Sequence, residues 1–247
     1  MKKYTPHLGE ASLLDACAQP GCPICVISQN SVNLSLMMVL HDYVDAPDLR
    51  EAICASWGYC RAHAWGLSEL ERGNILTVAI MYQDILSRDA KTALNRAQPN
   101  AGGGALRRMF AGKPPDASRS ISAQPPCPAC LLGEEVETNA LKILLAAFGK
   151  QDARMENALR QSDGLCLPHL RRALELGGRA DVQEKLLALA REKLDAITQE
   201  LNEFVRKHDY RFQHEETGDE KYSWQRAINL IVGANALDAA NRNHEKY

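Results

Sequence analysis

The sequence predicts an all-α protein in which two tandem metal-binding repeats form a pseudo-twofold helical bundle. A Cys-Pro-x-Cys motif occurs twice, at Cys22 and at Cys127, and an apolar segment follows each copy at once. A Cys-x-x-His motif also occurs twice, at Cys60 and at Cys166. Apolar residues recur at helical spacing after these motifs, and we find no convincing β-strand alternation.

The duplication becomes visible when the sequence is shifted along itself. Four pairs of positions coincide after shifts of 105 or 106 residues: Cys22 with Cys127, Cys25 with Cys130, Cys60 with Cys166, and His63 with His169. Each half therefore contains C-P-x-C and, further along, G-x-C-x-x-H. Apolar residues between the motifs match as well, which indicates an internal repeat.

Local signals place both motifs at helix N-termini. Proline after the first cysteine suits the first turn of a helix, where its missing N–H costs nothing. The segments "VNLSLMMVL" and "LKILLAAF" are apolar on nearly all sides, as buried helices are. Gly58 and Gly164 should end the next helices, because glycine tolerates the left-handed cap conformation.

Composition divides the chain into four segments. Residues 1–97 form the first metal-binding repeat and residues 125–214 the second, which ends in a long amphipathic helix. Residues 98–124 are rich in Gly, Pro, Ser and Ala and are predicted to be a linker. Residues 215–247 form a C-terminal helix, ended by Gly233, and a tail.

Three cysteines and one histidine per half match a tetrahedral zinc site. A C-x-x-C pair brings two sulfurs to one ion from a single turn, and C-x-x-H adds a sulfur and a nitrogen. We therefore predict two Zn²⁺ ions per chain, with eight ligands: Cys22, Cys25, Cys60, His63, Cys127, Cys130, Cys166 and His169. The spacing leaves open whether a site draws its ligands from one half or from both.

An iron–sulfur cluster is the alternative, chiefly at the first-half site, and it would make the protein a redox or sensor protein. Cys17 extends the first motif to C-x₄-C-x₂-C, and Cys54 lies six residues before Cys60. The second half has Ser122 and Arg160 at these places. We favour zinc because Cys₃His ligation of such clusters is uncommon. Cys17 and Cys54 are then small core residues.

Charge and composition exclude several classes of function. The net charge is −2 and aromatic residues make up 6%, which argues against nucleic-acid binding. The N-terminus lacks the apolar segment of a secretory signal, and "LKILLAAF" is too short to cross a membrane. We therefore expect a cytoplasmic protein, in which cysteines serve as metal ligands or redox thiols rather than disulfides.

The sequence favours an interaction or regulatory module over an enzyme. It contains no glycine-rich phosphate loop, no G-x-S-x-G and no H-E-x-x-H motif. Four protein ligands would also close each zinc site to substrate. We expect a protein partner, which the sequence does not identify; it does not fix the oligomeric state either.

The segment "HDYRFQHEE" places His208, His214, Glu215 and Glu216 close together. These residues could form a third metal site or an acid–base pair. We favour a simpler interpretation, in which the segment is the exposed end of a long helix that packs back on the protein.

The paired motifs, with "GYCRAHAWGL", "GLCLPHL" and "HDYRFQHEETGDEKYSWQRAINLIVG", resemble a prokaryotic family of unknown function. The resemblance covers nearly the whole chain and implies that the eight motif residues bind metal. It implies no reaction.

Overall fold

The computed structural model describes residues 9–70, 75–96, 126–212 and 214–234, and these residues form helices and turns without a β-strand. The all-α prediction is confirmed. The predicted linker, residues 98–124, lies outside the described residues, and so does the C-terminal tail after residue 234.

The described residues contain eleven α-helices. They are α1 (Glu10–Cys17), α2 (Pro23–Asp42), α3 (Pro47–Ala55), α4 (Arg61–Leu70), α5 (Ile75–Asp84), α6 (Lys91–Arg96), α7 (Pro128–Gly149), α8 (Ala153–Gln161), α9 (Leu167–Glu175), α10 (Ala180–Lys207) and α11 (Ser223–Val232). A π-helical segment, Ile85–Ala90, joins α5 to α6, and a 3₁₀ turn, Asp219–Tyr222, precedes α11.

The chain forms two compact units that do not follow the order of the sequence repeats. The larger unit contains residues 9–32, 133–212 and 214–234, and the smaller unit contains residues 33–70, 75–96 and 126–132. Each unit therefore takes its C-P-x-C motif from one repeat and its C-x-x-H motif from the other. The helices α2 and α7 each begin in one unit and end in the other.

The larger unit has the more extensive core. The largest fully buried side chains of this unit are Leu13, Ile24, Val136, Leu141, Leu144, Phe148 and Met155. On α10 the buried positions are Val182, Leu186, Leu189 and Ile197, which share one face of this amphipathic helix. Gly133 lets α7 approach α2, since an added Cβ would lie 3.3 Å from the Ser28 Oγ.

The smaller unit is built around fewer apolar side chains. The largest fully buried ones are Leu36, Leu40, Tyr43, Leu67 and Met81. Burial of apolar surface is the main favourable contribution to folding. We therefore expect this unit to depend more on other stabilising interactions.

Among the described residues, α2 is the one helix whose length and composition would allow it to cross a bilayer. Its apolar window has a mean hydropathy of 1.4, and 61% of that window is buried inside the protein, as in a core helix. The sequence predicts the segment "VNLSLMMVL" of this helix as buried, and the burial of most of the window agrees.

Candidate metal centres

The first cluster comprises Cys22, Cys25, Cys166 and His169, all of them buried in the larger unit. The Nδ1 atom of His169 lies 3.0 Å from the Cys166 sulfur, 3.4 Å from the Cys25 sulfur and 3.5 Å from the Cys22 sulfur. The sulfurs of Cys25 and Cys166 are 3.8 Å apart. Four donor atoms within 4.8 Å of one another could hold a metal ion.

The second cluster comprises Cys60, His63, Cys127 and Cys130 and lies in the smaller unit. The Nδ1 atom of His63 lies 3.3 Å from the Cys60 sulfur, 3.5 Å from the Cys130 sulfur and 3.6 Å from the Cys127 sulfur. The sulfurs of Cys60 and Cys130 are 3.7 Å apart. Only Cys127 is buried, and the other three residues are partly exposed.

Each cluster lies at the N-termini of two helices. The helices α2 and α9 begin directly after Cys22 and Cys166, and α4 and α7 begin directly after Cys60 and Cys127. The carbonyl of each of these four cysteines accepts the first hydrogen bond of its helix, over 2.8–3.1 Å. The prediction that both motifs start helices is confirmed. The partial positive charge of the helix N-termini favours thiolates at these positions.

Each cluster combines the two repeats. Within a repeat, the helix that follows C-P-x-C is much longer than the helix that precedes C-x-x-H: α2 has 20 residues and α3 has 9, and α7 has 22 residues and α8 has 9. Gly58 and Gly164 have φ of 81° and lie in the turns after α3 and α8, whereas the C-caps of these helices are Ser56 and Ser162 and not the predicted glycines.

A carboxylate orients the histidine of the first cluster. The Nε2 atom of His169 lies 3.4 Å from Glu137, which also accepts hydrogen bonds from Arg172 (2.8 Å) and Ser28 (3.1 Å). A histidine that gives its second N–H to a carboxylate keeps the other nitrogen free for a metal. Within the described part of the chain, the Nε2 atom of His63 has no carboxylate in ion-pair contact. Glu137 was not identified from the sequence.

Two backbone contacts close the first cluster further. The N–H of Gly21 donates to the Asp163 carboxylate at 2.6 Å, which links the residues just before the two motifs. At the end of α11, Gly233 has φ of 87° and lies against the sulfurs, where an added Cβ would be 3.4 Å from Cys25 and 3.6 Å from Cys166. Gly233 does end this helix, as the sequence predicts.

Electrostatics in the first cluster favour one thiolate and oppose more. Burial disfavours the charged form of Cys22, but hydrogen bonds from Cys166, Cys25 and His169 hold its pKa well below the usual range. Hydrogen bonds with Cys22 and Cys25, together with burial, raise the pKa of Cys166 far above it. Burial opposes the His169 imidazolium, yet contacts with Cys22, Cys25 and Glu137 raise its pKa to about 11. A divalent cation would relieve the repulsion between thiolates.

The second cluster shows the same repulsion. Burial raises the pKa of Cys130 to about 12, and the neighbouring Cys60 and Cys127 sulfurs add to the rise.

The two additional thiols, Cys17 and Cys54, belong to neither four-residue cluster. Cys17 is the last residue of α1 and is buried in the larger unit; burial and the neighbouring Cys22 raise its pKa to about 11. Cys54 is buried in the smaller unit, with its sulfur 3.6 Å from the Tyr43 hydroxyl, which donates to Asp84. The thiols expected to share one site therefore lie in different units.

Ion pairs hold the segment after α10. Arg206 pairs with Glu203 and Glu215 and lies 4.6 Å from the centre of the Phe212 ring. His208 contacts the carbonyl of Phe204 at 2.8 Å. The described residues contain no third cluster of metal-binding side chains. Phe212 is partly covered as expected, whereas Tyr210 is 80% exposed and does not pack back.

Comparison with known proteins identifies relatives without assigning an activity. The chain is 24% identical over 216 residues to an "Uncharacterized 23.9 kDa protein in xynA 3'region" of Caldicellulosiruptor sp. (strain Rt8B.4), covering 86% of this chain and 95% of that protein. No solved structure matches the chain. A family model described as "Family of unknown function (DUF6062)" matches residues 8–238. The chain therefore belongs to the DUF6062 family.

Proposed function

We propose that this protein is a two-zinc helical module in which each zinc ion stabilises one compact unit. The spacing of the donor atoms carries the proposal. A tetrahedral zinc ion with Zn–S of ~2.3 Å and Zn–N of ~2.0 Å keeps two sulfurs about 3.8 Å apart and a sulfur and a nitrogen about 3.5 Å apart. One pair of sulfurs in each cluster is 3.7 or 3.8 Å apart, the S–N distances are 3.0–3.6 Å, and all four donors of a cluster lie within 4.8 Å of one another.

The same spacing argues against an iron–sulfur cluster. In such a cluster the four protein ligands are divided among two or more iron atoms, so donors on different iron atoms stand farther apart than donors around one ion. Here all four donors lie within 4.8 Å of one another. Neither Cys17 nor Cys54 joins a four-residue cluster, which removes the main reason for the iron–sulfur alternative.

The donor set also favours a structural role for zinc over a catalytic one. Three sulfurs and one nitrogen from the protein fill a tetrahedral ion and leave no position for substrate or reactive water. Each cluster joins the start of a C-P-x-C helix to the start of a C-x-x-H helix. Each ion would therefore fasten two helix ends that are far apart in the sequence.

An exposed apolar face supports an interaction role. Trp224, Ile228 and Ile231 share one side of α11 and are 47%, 52% and 51% exposed. Exposed apolar side chains at helical spacing on one face are typical of surfaces that bind another protein. We propose that this face binds the apolar surface of a protein partner.

Elemental analysis of protein purified without oxygen tests the metal assignment. We expect two zinc ions per chain, no visible absorbance, and unfolding when a strong chelator removes the zinc, since structural zinc contributes folding free energy. Iron together with acid-labile sulfide and a brown colour would refute the zinc assignment. Metal-free protein that remains folded would refute the structural role.

A further inference from the structure

We infer that the second cluster is an exchangeable zinc site, which gives its ion to thiol ligands, whereas the first cluster retains its ion. This inference rests on the proposed function, because it takes zinc to be the ion at both sites. It adds a regulatory property: the smaller unit would gain or lose zinc with the supply of thiol carriers while the larger unit stays folded.

Burial of the donors is the first observation. All four residues of the first cluster are buried, whereas Cys60, His63 and Cys130 of the second are partly exposed. The residue after each C-P-x-C motif follows the same trend, since Val26 is 5% exposed and Leu131 is 49% exposed. Solvent therefore reaches donors of the second cluster, whereas the donors of the first cluster are enclosed by the protein.

The surroundings of the donors are the second observation. Glu137 and its partner Arg172 hold the His169 ring in place, and Gly233 covers two sulfurs of the first cluster. In the described part of the chain, no carboxylate forms an ion pair with His63 and no glycine lies against the sulfurs of the second cluster. Contacts that orient a ligand typically change metal affinity by about 10–100-fold, so their absence favours release.

A thiol is the ligand class that this site would accept. Zinc bound by three thiolates exchanges most readily for another soft sulfur donor. The incoming thiol gives its proton to the displaced Cys60 or Cys130 thiolate and takes its place on the ion, so the charge and the number of ligands are conserved. Arg61, the residue after Cys60, is exposed and would attract an anionic thiol such as glutathione, whereas Leu167 occupies its place in the other repeat.

The test measures the release of zinc from the zinc-loaded wild-type protein. Glutathione and a chromogenic chelator are added, and cysteines that become free are trapped with N-ethylmaleimide and mapped by mass spectrometry. We expect Cys60, Cys127 and Cys130 to be labelled at least about tenfold faster than Cys22, Cys25 and Cys166. One zinc ion per chain should appear in the fast phase, at a rate that rises with glutathione concentration.

A matched variant, Arg61→Leu, leaves both donor sets intact. It should slow release by glutathione and leave release by the uncharged 2-mercaptoethanol unchanged. Equal labelling rates for the two cysteine sets, or a fast phase independent of thiol concentration, would overturn the exchange proposal. Fewer than two zinc ions before the chelator is added would count against the proposed function instead.

Discussion

The residues just before the two motifs differ between the first cluster and the second. In the larger unit, the N–H of Gly21 donates to the carboxylate of Asp163. The corresponding positions in the smaller unit are Pro126, which has no N–H, and Trp57, which has no carboxylate. The smaller unit therefore lacks both the donor and the acceptor of this hydrogen bond. Because both are absent together, the change leaves no polar group buried without a partner at these two positions.

A similar difference separates the helices beside the two clusters. The position of Glu137 on α7 corresponds to Val32 on α2, a buried apolar residue. The four Cys and His positions are the same in the two repeats, whereas the contacts around them are not. The comparison teaches that the repeat specifies which side chains form each cluster, and that the surrounding residues decide how firmly these side chains are held.

The largest expected effect comes from removing donors by cluster or by repeat. One variant replaces all donors of the first cluster: Cys22, Cys25 and Cys166 by serine and His169 by alanine. Its control replaces the same number within the first repeat: Cys22, Cys25 and Cys60 by serine and His63 by alanine. We expect one zinc ion per chain in the first variant and none in the second, because the second damages both clusters. The reverse zinc contents would show that each repeat binds its own ion.

The next largest effect is the slow alkylation of Cys17, the additional thiol of the larger unit, compared with an exposed cysteine. The pKa of Cys17 is about 11, against a usual value of 9.0, because burial disfavours its thiolate. Near pH 8 its reactive thiolate is therefore about 100-fold less populated than that of an exposed cysteine, and its alkylation should accelerate up to about pH 11.

Mass spectrometry after timed iodoacetamide treatment measures this rate, with a cysteine-containing peptide as the control. Cys17 modified as fast as the peptide at pH 8 would contradict the burial and the raised pKa of its thiol.

The smallest effect concerns the carboxylate beside His169. Glu137→Gln keeps the shape of the side chain and removes its charge, so we expect the zinc affinity of the first cluster to fall by about 10–100-fold. Competition with a chelator of known affinity measures it. The matched change Glu134→Gln lies one helical turn away and should leave the affinity unchanged. An unaltered first cluster in Glu137→Gln would remove the main distinction between the two sites.

Local features of the fold were predictable from the sequence. Pro23 and Pro128 indicate helix starts, and Gly58 and Gly164 indicate helix ends, because each depends on backbone conformation over a few residues. The eight donor positions follow from spacing and repetition. The pairing of the motifs across repeats was left open by the sequence, because it depends on how the helices between the motifs pack and not on the spacing of the motifs.

Long-range polar contacts were not predictable. Gly21 and Asp163 are separated by 142 positions, and nothing in either local sequence indicates the other. Glu137 lies on a helix that carries further glutamates, so the sequence alone predicts a solvent-facing side chain. Its contact with His169 depends on how α7 and α9 pack against each other. The sequence predicts that the segment after α10 packs back on the protein, and it does not show that Tyr210 stays exposed.

The exchange of motifs between units sets the order in which the chain can fold during synthesis. Cys60 and Cys130 are 70 positions apart, so the second cluster can close once residue 130 has left the ribosome. Cys22 and His169 are 147 positions apart, so the first C-P-x-C motif must wait until most of the chain has emerged. Contacts of such separation form late and slowly. The thiols of Cys22 and Cys25 therefore remain exposed to solvent for longer during synthesis than the thiols of the second cluster.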